Sequence, residues 1–192
     1  MIVKTRAVFI DRDGVVNSLI YRGRGYFVCG KRCEWTAPHS YEEFKIFPFV
    51  AQALLILKEM GLLRILVTNQ PDVSYGLLSK ENHERIMSDV RILGFDDIFV
   101  CPHMRDEKCE CKKPKSGMLL DATSKWNIDL ASSYLVGDTE NDMSAAHSAS
   151  CRFILVRTEY NHQIQTEFET ANLLDAGQLI KKLEGGTHNV IC

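Results

Sequence analysis

The sequence predicts an α/β fold in which helices alternate with the strands of a parallel β-sheet. Short apolar runs of strand length recur along the chain and are separated by longer amphipathic stretches. Strands that alternate with helices are typical of parallel sheets joined by right-handed crossovers. Polar, acid-rich clusters follow several of the apolar runs directly, and ligands bind at this end of the strands in such sheets.

Five strands and five helices account for this alternation. In the first predicted helix the apolar side chains fall at helical spacing, and Gly61 ends that helix. Ser79 is suited to cap the start of the next helix. The predicted strands are residues 7–10, 63–67, 98–100, 134–136 and 153–156. The predicted helices are residues 49–60, 80–93, 117–126, 141–149 and 176–183.

Two segments interrupt the alternation, and neither is long enough to form a separate cap domain. Residues 14–45 contain four glycines and are predicted to form a flap or long loop. Residues 101–114 contain a cluster of cysteines with one histidine. Because the chain has 192 residues and no linker, we expect residues 1–192 to form one domain.

The composition gives no sign of a nucleic-acid or membrane partner. The formal net charge is −2, from 23 Lys and Arg against 25 Asp and Glu, so there is no basic excess. No apolar run approaches the ~18 residues that a membrane span needs. The first residues lead directly into a predicted strand without a signal peptide. We therefore expect a protein of the cytoplasm, and as a separate expectation a monomer.

The first acid-rich cluster places Asp11 and Asp13 two residues apart at the end of the first predicted strand. One carboxylate of such a pair can attack phosphorus and form a covalent intermediate. The other can protonate the leaving oxygen and then activate the water that releases phosphate. Gly14 allows the chain to turn away sharply behind them. By itself the pattern is equally compatible with a turn that carries solvated acids.

Two further clusters supply groups that can bind phosphoryl or substrate oxygens. Thr68 and Asn69 follow the second predicted strand, where a hydroxyl and a neighbouring backbone N–H can donate hydrogen bonds. Lys112 and Lys113 follow the cysteine-rich segment and offer fixed positive charge. The alternatives are a turn or N-cap at Thr68 and two solvated surface lysines.

A fourth cluster suggests a cation site. Asp138 follows the fourth predicted strand, and Asp142 lies one helical turn further on. The carboxyl ends of parallel strands meet at one edge of the sheet, so Asp138 can hold Mg²⁺ beside Asp11. Mg²⁺ prefers one or two carboxylates together with waters and a substrate phosphate. Asp142 can support this site without contacting the cation directly. The alternative interpretation of the cluster is an acidic N-cap and first turn of a helix.

The order and spacing of these motifs resemble the haloacid dehalogenase superfamily of phosphatases. Its signature is Asp-x-Asp-Gly, Thr-Asn, Lys-Pro and Gly-Asp-x-x-x-Asp, and all four motifs occur here in that order. The resemblance implies a Rossmann-like, three-layer α/β fold without a large cap domain. It also implies that Asp11 is the nucleophile, that Asp13 is the general acid and base, and that Thr68 and Lys113 bind the phosphoryl group. Mg²⁺ would be held by Asp11, Asp138 and the backbone carbonyl of Asp13.

The seven cysteines are an odd number, which argues against a disulfide framework in a chain without a secretion signal. Three thiolates and one imidazole complete a tetrahedral Zn²⁺ site, and a closed site of this kind is structural. The alternative is a reduced loop without metal. The loop also resembles the zinc loop of the superfamily branch that contains heptose 1,7-bisphosphate and histidinol-phosphate phosphatases. The four predicted ligands are Cys101, His103, Cys109 and Cys111.

The charge of the flap favours a small phosphorylated metabolite with two phosphates. Among the substrates of this branch, the flap charge favours D-glycero-D-manno-heptose 1,7-bisphosphate. The predicted reaction removes its 7-phosphate. Lys112 adds a further cation, although the branch usually has Arg at this position. Histidinol phosphate and other small sugar phosphates are the alternatives, and the flap charge can also be solvated surface charge. No acid occurs between residues 14 and 33, and the cations there are Arg22, Arg24, Lys31 and Arg32.

Two other classes of protein are compatible with parts of this pattern. One is a catalytically idle binding or scaffold protein, although idle relatives usually lose an aspartate that is present here. The other is a phospho-accepting receiver domain, which also gathers acids, a Thr and a Lys at strand ends. A zinc loop and a second acid after the nucleophile argue against a receiver domain. Steady release of phosphate from small esters separates a phosphatase from both.

Overall fold

The computed structural model describes residues 4–185 and contains a central parallel sheet. Six of its ten strands form this sheet in the order β10-β9-β8-β1-β6-β7, so β1 lies between β8 and β6. In chain order the strands are β1 (Ala7–Ile10), β2 (Ile20–Tyr21), β3 (Phe27–Val28), β4 (Lys31–Arg32), β5 (Trp35–Thr36), β6 (Leu63–Asn69), β7 (Asp97–Cys101), β8 (Tyr134–Gly137), β9 (Arg152–Val156) and β10 (Glu169–Thr170).

Helices cover both faces of the sheet and give the three-layer fold that the sequence predicts. The apolar faces of α1, α2 and α5 pack on one side, whereas α3 and α4 pack on the other. The helices are α1 (Val50–Glu59), α2 (Lys80–Arg91), α3 (Gly117–Trp126), α4 (Glu140–Ser148) and α5 (Leu173–Gly185).

The central strand β1 shows why a strand in the middle of this sheet is an uninterrupted apolar run. Val8 and Ile10 pack into the cluster beneath α1, α2 and α5, whereas Ala7 and Phe9 pack into the cluster beneath α3 and α4. All four side chains are fully buried. Because successive side chains of a strand point to opposite faces, a strand covered on both sides needs an uninterrupted apolar run. Full burial of one such side chain stabilises the fold by about 1.5–3 kcal/mol.

The flap at residues 14–45 contains two nested antiparallel pairs, β2 with β5 and β3 with β4. Cys29 and Gly30 form the tip, where both residues have positive φ (48° and 75°). This backbone geometry matches a two-residue hairpin turn.

Cys192 lies outside the described residues, and the six cysteines between residues 4 and 185 carry free thiols.

All five predicted strands and all five predicted helices are present, and the ends of all but β1 and α3 are shifted. Strand β6 runs two residues past its predicted end, because Thr68 and Asn69 pair with β7 although their side chains are polar. The last helix begins at Leu173, three residues before the predicted start. The flap strands and β10 were not predicted, since runs of two residues show no periodicity. No helix between residues 4 and 185 is long and apolar enough to cross a membrane.

Candidate active site

The carboxyl ends of β1, β6 and β8 meet at one edge of the sheet. Strand β1 pairs with both β6 and β8, so groups that end these three strands are neighbours. Asp11 follows β1, Thr68 lies near the end of β6, and Asp138 follows β8. All three residues are buried. The structure therefore brings these three predicted residues together.

Lys113 reaches this edge from the loop before α3. It is 3% exposed, and its Nζ donates to Asp11 Oδ1 at 2.7 Å, to Asp142 Oδ1 at 2.5 Å and to the Val67 carbonyl at 2.9 Å. Asn69 holds the lysine backbone, because its amide donates to the Lys113 carbonyl and accepts from the Lys113 N–H, both at 3.0 Å. Burial alone would lower the pKa of Lys113, but the two carboxylates raise it above its ordinary value.

Asp11, Asp138 and Asp142 form a buried carboxylate cluster around the Lys113 ammonium. One oxygen from each carboxylate lies within 4.8 Å of the others. Burial, with the neighbouring carboxylates, raises the pKa of Asp11 to about 7 and that of Asp138 well above its usual range. Asp138 Oδ1 is buried and has no hydrogen-bond partner among the described residues. A divalent cation would balance the excess negative charge and occupy this acceptor, so the site fits Mg²⁺.

Asp13 has different surroundings from Asp11. Its Oδ1 accepts hydrogen bonds from Arg12 Nη2 and Asn17 Nδ2, each at 3.0 Å, and its Oδ2 accepts one from Gln70 Nε2 at 2.6 Å. Asp13 is only partly buried and lines the neighbouring cavity. Two carboxylates in environments this different are suited to different chemical roles.

Two glycines allow the acids to approach so closely. Gly14 has φ +89°, and a Cβ built there would lie 2.1 Å from Asp138 Oδ2. A Cβ at Gly137 would lie 2.4 Å from the Cβ of Asp142. Asp142 also forms a capping box with Thr139, in which each side chain accepts a hydrogen bond from the other residue's backbone N–H. The start of α4 therefore fixes the position of the Asp142 carboxylate.

The predicted zinc ligands converge in the loop after β7. Cys101 Sγ lies 3.5 Å from His103 Nδ1 and 3.8 Å from Cys109 Sγ, and His103 Nδ1 lies 3.2 Å from Cys111 Sγ. Burial and the neighbouring thiols raise the pKa of Cys111 to about 12, so a cation is needed to hold these donors together as thiolates. Three sulfurs and one imidazole fit Zn²⁺. Lys112 Nζ donates to the His103 carbonyl at 2.9 Å, which ties this lysine to the loop.

A cavity of about 310 Å³ lies in front of Asp11 and Asp13 and is called the catalytic cavity here. Trp35 of the flap forms part of one wall, and Asp72 and Tyr75 from the loop after β6 form part of another. Burial, followed by the charge of Asp13, raises the pKa of Asp72 to about 6. The volume suits a small polar metabolite.

A second cavity of about 470 Å³ adjoins the first and shares Lys112 and Lys113 with it. Its walls come from the tip of the flap and from the cysteine-rich loop after β7, and we call it the cationic cavity. Positive charge predominates there, although Glu107 also lines it. Its other basic residues are Lys31, Arg105 and Lys115.

The flap cations do not act as the single group that the sequence suggested. Arg22 forms two hydrogen bonds with the Glu43 carboxylate, at 2.6 and 2.5 Å. Arg32 is paired with a neighbouring glutamate, and Arg24 lines a separate surface pocket. Of the four, Lys31 lines the cationic cavity. The difference arises because two acids of the flap that follow residue 33, Glu34 and Glu43, pair with Arg32 and Arg22.

Several groups that orient the acids were not predicted from the sequence. Gln70 bridges Asp13 and Thr68, with its Nε2 2.6 Å from Asp13 Oδ2 and 2.8 Å from Thr68 Oγ1. Its position directly after Thr-Asn was the available signal. Tyr160 donates its hydroxyl to Asp138 Oδ2 at 2.5 Å. It lies 22 residues further along the chain, in a loop that carries no motif.

Comparison with known proteins identifies the family of the chain. The HAD-hydrolase-like family model matches residues 110–175, and together with the fold and the acid cluster it defines a haloacid dehalogenase-like hydrolase. D-glycero-beta-D-manno-heptose-1,7-bisphosphate 7-phosphatase from Yersinia pestis is 38% identical over 167 residues, covering 79% of this chain and 80% of that protein. The enzyme of the same name from Vibrio cholerae is 37% identical over 169 residues, with 79% and 81% covered. The chain belongs to the family of these heptose bisphosphate phosphatases.

A solved structure supports the same assignment. D,D-heptose 1,7-bisphosphate phosphatase from B. bronchiseptica, complexed with magnesium and phosphate, matches with a TM-score of 0.76 and 28% sequence identity. The match covers 93% of this chain and 99% of that protein. The fold that surrounds the acid cluster is therefore shared along nearly the whole chain.

Proposed function

We propose that the chain is a Mg²⁺-dependent phosphomonoester hydrolase that removes the 7-phosphate of D-glycero-D-manno-heptose 1,7-bisphosphate. The observation that carries the proposal is the buried cluster of Asp11, Asp138 and Asp142 around Lys113, beside the more accessible Asp13. The substrate is supported by the shared name of relatives that are 32–38% identical. Mg²⁺ is supported by the related structure complexed with magnesium and phosphate.

Asp11 and Asp13 divide two chemical steps in the proposed reaction. An Asp11 oxygen attacks phosphorus, the ester P–O bond breaks, and Asp13 donates its proton to the leaving oxygen. A water then attacks the phosphorus of the aspartyl-phosphate, Asp13 accepts the water proton, and the bond from Asp11 to phosphorus breaks. Arg12, Asn17 and Gln70 hold the Asp13 carboxylate in place for both proton transfers.

The remaining residues of the proposed site bind and neutralise the phosphoryl group. Lys113 and Thr68 donate to its oxygens, and the contacts of Asn69 keep the Lys113 backbone in position. Mg²⁺ would be held by Asp11, Asp138 and the backbone carbonyl of Asp13. When bound, it would supply positive charge for the phosphoryl oxygens. The orphaned Asp138 oxygen and the excess carboxylate charge support this assignment.

The cationic cavity is the proposed site of the second phosphate. It meets the catalytic cavity at Lys112 and Lys113, so one ligand can reach from Asp11 into it. Lys31 and Arg105 line its walls. Hydrogen bonds between cations and phosphate are the strong, charge-assisted kind. Among the flap residues the proposal therefore assigns this role to Lys31, in place of the flap arginines.

We expect heptose 1,7-bisphosphate to have a higher kcat/KM than heptose 7-phosphate or histidinol phosphate at saturating Mg²⁺. Lys31→Ala and Arg105→Ala should each lower kcat/KM for the bisphosphate by about 10-fold, since each removes one charged phosphate contact. Turnover of the monophosphate should change little. Lys181→Ala, on the exposed side of α5, is the matched control and should leave all three substrates unaffected. Phosphate release provides the measurement.

The outcomes of this comparison separate the alternatives. Equal or better turnover of histidinol phosphate would overturn the substrate while leaving the phosphatase activity in place. A folded protein that releases phosphate from none of the three, nor from other small sugar phosphates, would favour an idle binding protein.

We expect one zinc ion per chain, and Cys109→Ser should lose it. A hydroxyl is a much poorer zinc ligand than a thiolate, and a structural zinc site contributes directly to folding. The variant should melt at a lower temperature and lose activity indirectly, because the loop also carries Lys112 and Lys113. Elemental analysis and thermal unfolding are the two measurements. Cys29→Ser, at an exposed thiol outside the cluster, should keep its zinc and its melting temperature. Freshly purified wild-type protein without zinc would contradict the prediction.

The proposal also includes a single catalytic domain over residues 1–192. Two hydrophobic clusters that pack against opposite faces of the same sheet support it. A monomeric state, a cytoplasmic location and the lack of nucleic-acid or membrane partners are the further expectations from the sequence.

A further inference from the structure

We infer that Tyr160 is a positioning residue that fixes the Asp138 carboxylate for the cation and links it to the flap through Trp35. The inference rests on the proposed function, because it takes Asp138 to be a cation ligand. Neither aromatic residue belongs to a motif that the sequence analysis identified.

The first observation is how the two oxygens of Asp138 are used. Tyr160 donates its phenol hydrogen to Oδ2 at 2.5 Å. The other oxygen, Oδ1, is buried and has no partner among residues 4–185. The phenol therefore occupies one oxygen and leaves the other for the cluster that Asp138 forms with Asp11 and Asp142. Groups that hold one atom of a metal ligand in this way set the orientation of that ligand.

The second observation is that the loop carrying Tyr160 is itself anchored to Asp138. The neighbouring residue Asn161 is 2% exposed. Its Nδ2 donates to the Asp138 carbonyl at 2.8 Å and to the Val156 carbonyl at 2.9 Å. The side chain and the backbone of Asp138 are thus held by consecutive residues of the loop after β9. An arrangement with this many fixed contacts keeps the phenol at one distance from the carboxylate.

The third observation is that the flap covers the other side of the tyrosine. The rings of Trp35 and Tyr160 lie 5.4 Å apart, and those of Tyr21 and Trp35 lie 5.0 Å apart. Trp35 also lines the catalytic cavity. A continuous series of contacts therefore runs from the flap, through the two rings, to the Asp138 carboxylate.

The fourth observation concerns Gly14, at the first turn of the flap. A Cβ there would lie 2.1 Å from Asp138 Oδ2 and 2.6 Å from the Tyr160 hydroxyl oxygen. The Asp138 carboxylate and the Tyr160 hydroxyl thus occupy the space that a side chain at position 14 would need. This close packing leaves the carboxylate little room to rotate once the phenol is in place.

The test measures Mg²⁺ affinity directly, by isothermal titration calorimetry on the full chain without substrate. Tyr160→Phe keeps the ring against Trp35 but removes the hydrogen bond to Asp138. We expect its Kd for Mg²⁺ to rise by about 10-fold or more, the usual effect of losing a group that holds a metal ligand. Tyr75→Phe is the matched control, because Tyr75 also lines the catalytic cavity and its hydroxyl accepts a hydrogen bond from the Arg105 backbone N–H. Its Mg²⁺ affinity should equal that of the wild type.

The link to the flap has a spectroscopic readout. The chain has two tryptophans, and Trp126→Phe leaves Trp35 as the only one. In that background, Mg²⁺ binding should change the Trp35 fluorescence when Tyr160 is present, and the change should be smaller in Tyr160→Phe at saturating Mg²⁺. Trp35→Leu, which keeps the hydrogen bond, should weaken Mg²⁺ binding less than Tyr160→Phe does. It also provides a second variant should Tyr160→Phe fold poorly.

The results distinguish failure of the inference from failure of the proposed function. Wild-type Mg²⁺ affinity in folded Tyr160→Phe would overturn the positioning role alone. A fluorescence change that persists unaltered in Tyr160→Phe would overturn the link through Trp35. A wild-type protein that binds no Mg²⁺ would overturn the proposed function together with the inference.

Discussion

Asp11→Asn is expected to lower kcat by at least about 10³-fold without unfolding the protein. An amide does not attack phosphorus, and it does not balance the charge of a bound cation. Burial and the neighbouring acids raise the pKa of Asp11 to about 7, so its ionised form is disfavoured in the metal-free protein. A neutral amide removes this unfavourable charge but also one partner of Lys113, which keeps its pair with Asp142, so the variant should remain folded without Mg²⁺. Phosphate release and thermal unfolding, measured on the same preparation, provide the test.

Asp13→Asn separates the two chemical steps. Loss of a general acid and base should lower steady-state turnover of sugar phosphates by about 10²–10⁴-fold. With p-nitrophenyl phosphate the leaving group departs without needing a proton, so the first step should persist. We expect a burst close to one equivalent of p-nitrophenolate, followed by slow turnover. A comparable burst from Asp11→Asn, or near-normal phosphate release from it, would contradict Asp11 as the nucleophile.

Lys113→Met is expected to have the largest effect on stability, lowering the free energy of unfolding by about 3 kcal/mol or more. The lysine is buried and pairs with both Asp11 and Asp142, at 2.7 and 2.5 Å. Methionine fills a similar volume but leaves both carboxylates without their cation. Activity should fall as well, because the same ammonium is proposed to bind the phosphoryl group. Urea unfolding without Mg²⁺ isolates the effect on stability.

A double variant separates stability from catalysis at this position. Lys113→Met with Asp142→Asn removes one of the two unbalanced carboxylates and should recover part of the lost stability. It should recover no activity. Lys115→Met is the matched control, because this lysine pairs with Glu110 at the surface and such pairs contribute about 0–1 kcal/mol. A wild-type urea midpoint for Lys113→Met would show that the buried pairs do not stabilise the fold.

The sequence determined the class of fold because its local patterns agree with the tertiary packing. Strand β1 was predicted with its observed ends, since each of its four side chains is apolar and both faces of the sheet are covered. Helix α3 was likewise predicted with its observed ends. The flap strands were missed, because each has two residues and depends on its partner strand for hydrogen bonds.

The sequence also determined which acids and cysteines gather, because their places at strand ends and in one short loop leave little choice. It could not determine which charges pair. Only the tertiary structure decided that Arg22 is occupied by Glu43, while Lys31 remains on the cationic cavity. It likewise decided that Tyr160 reaches Asp138. The physical reason is that a charge or hydroxyl acts over a few ångströms, and the folded chain, not the order of residues, sets those distances.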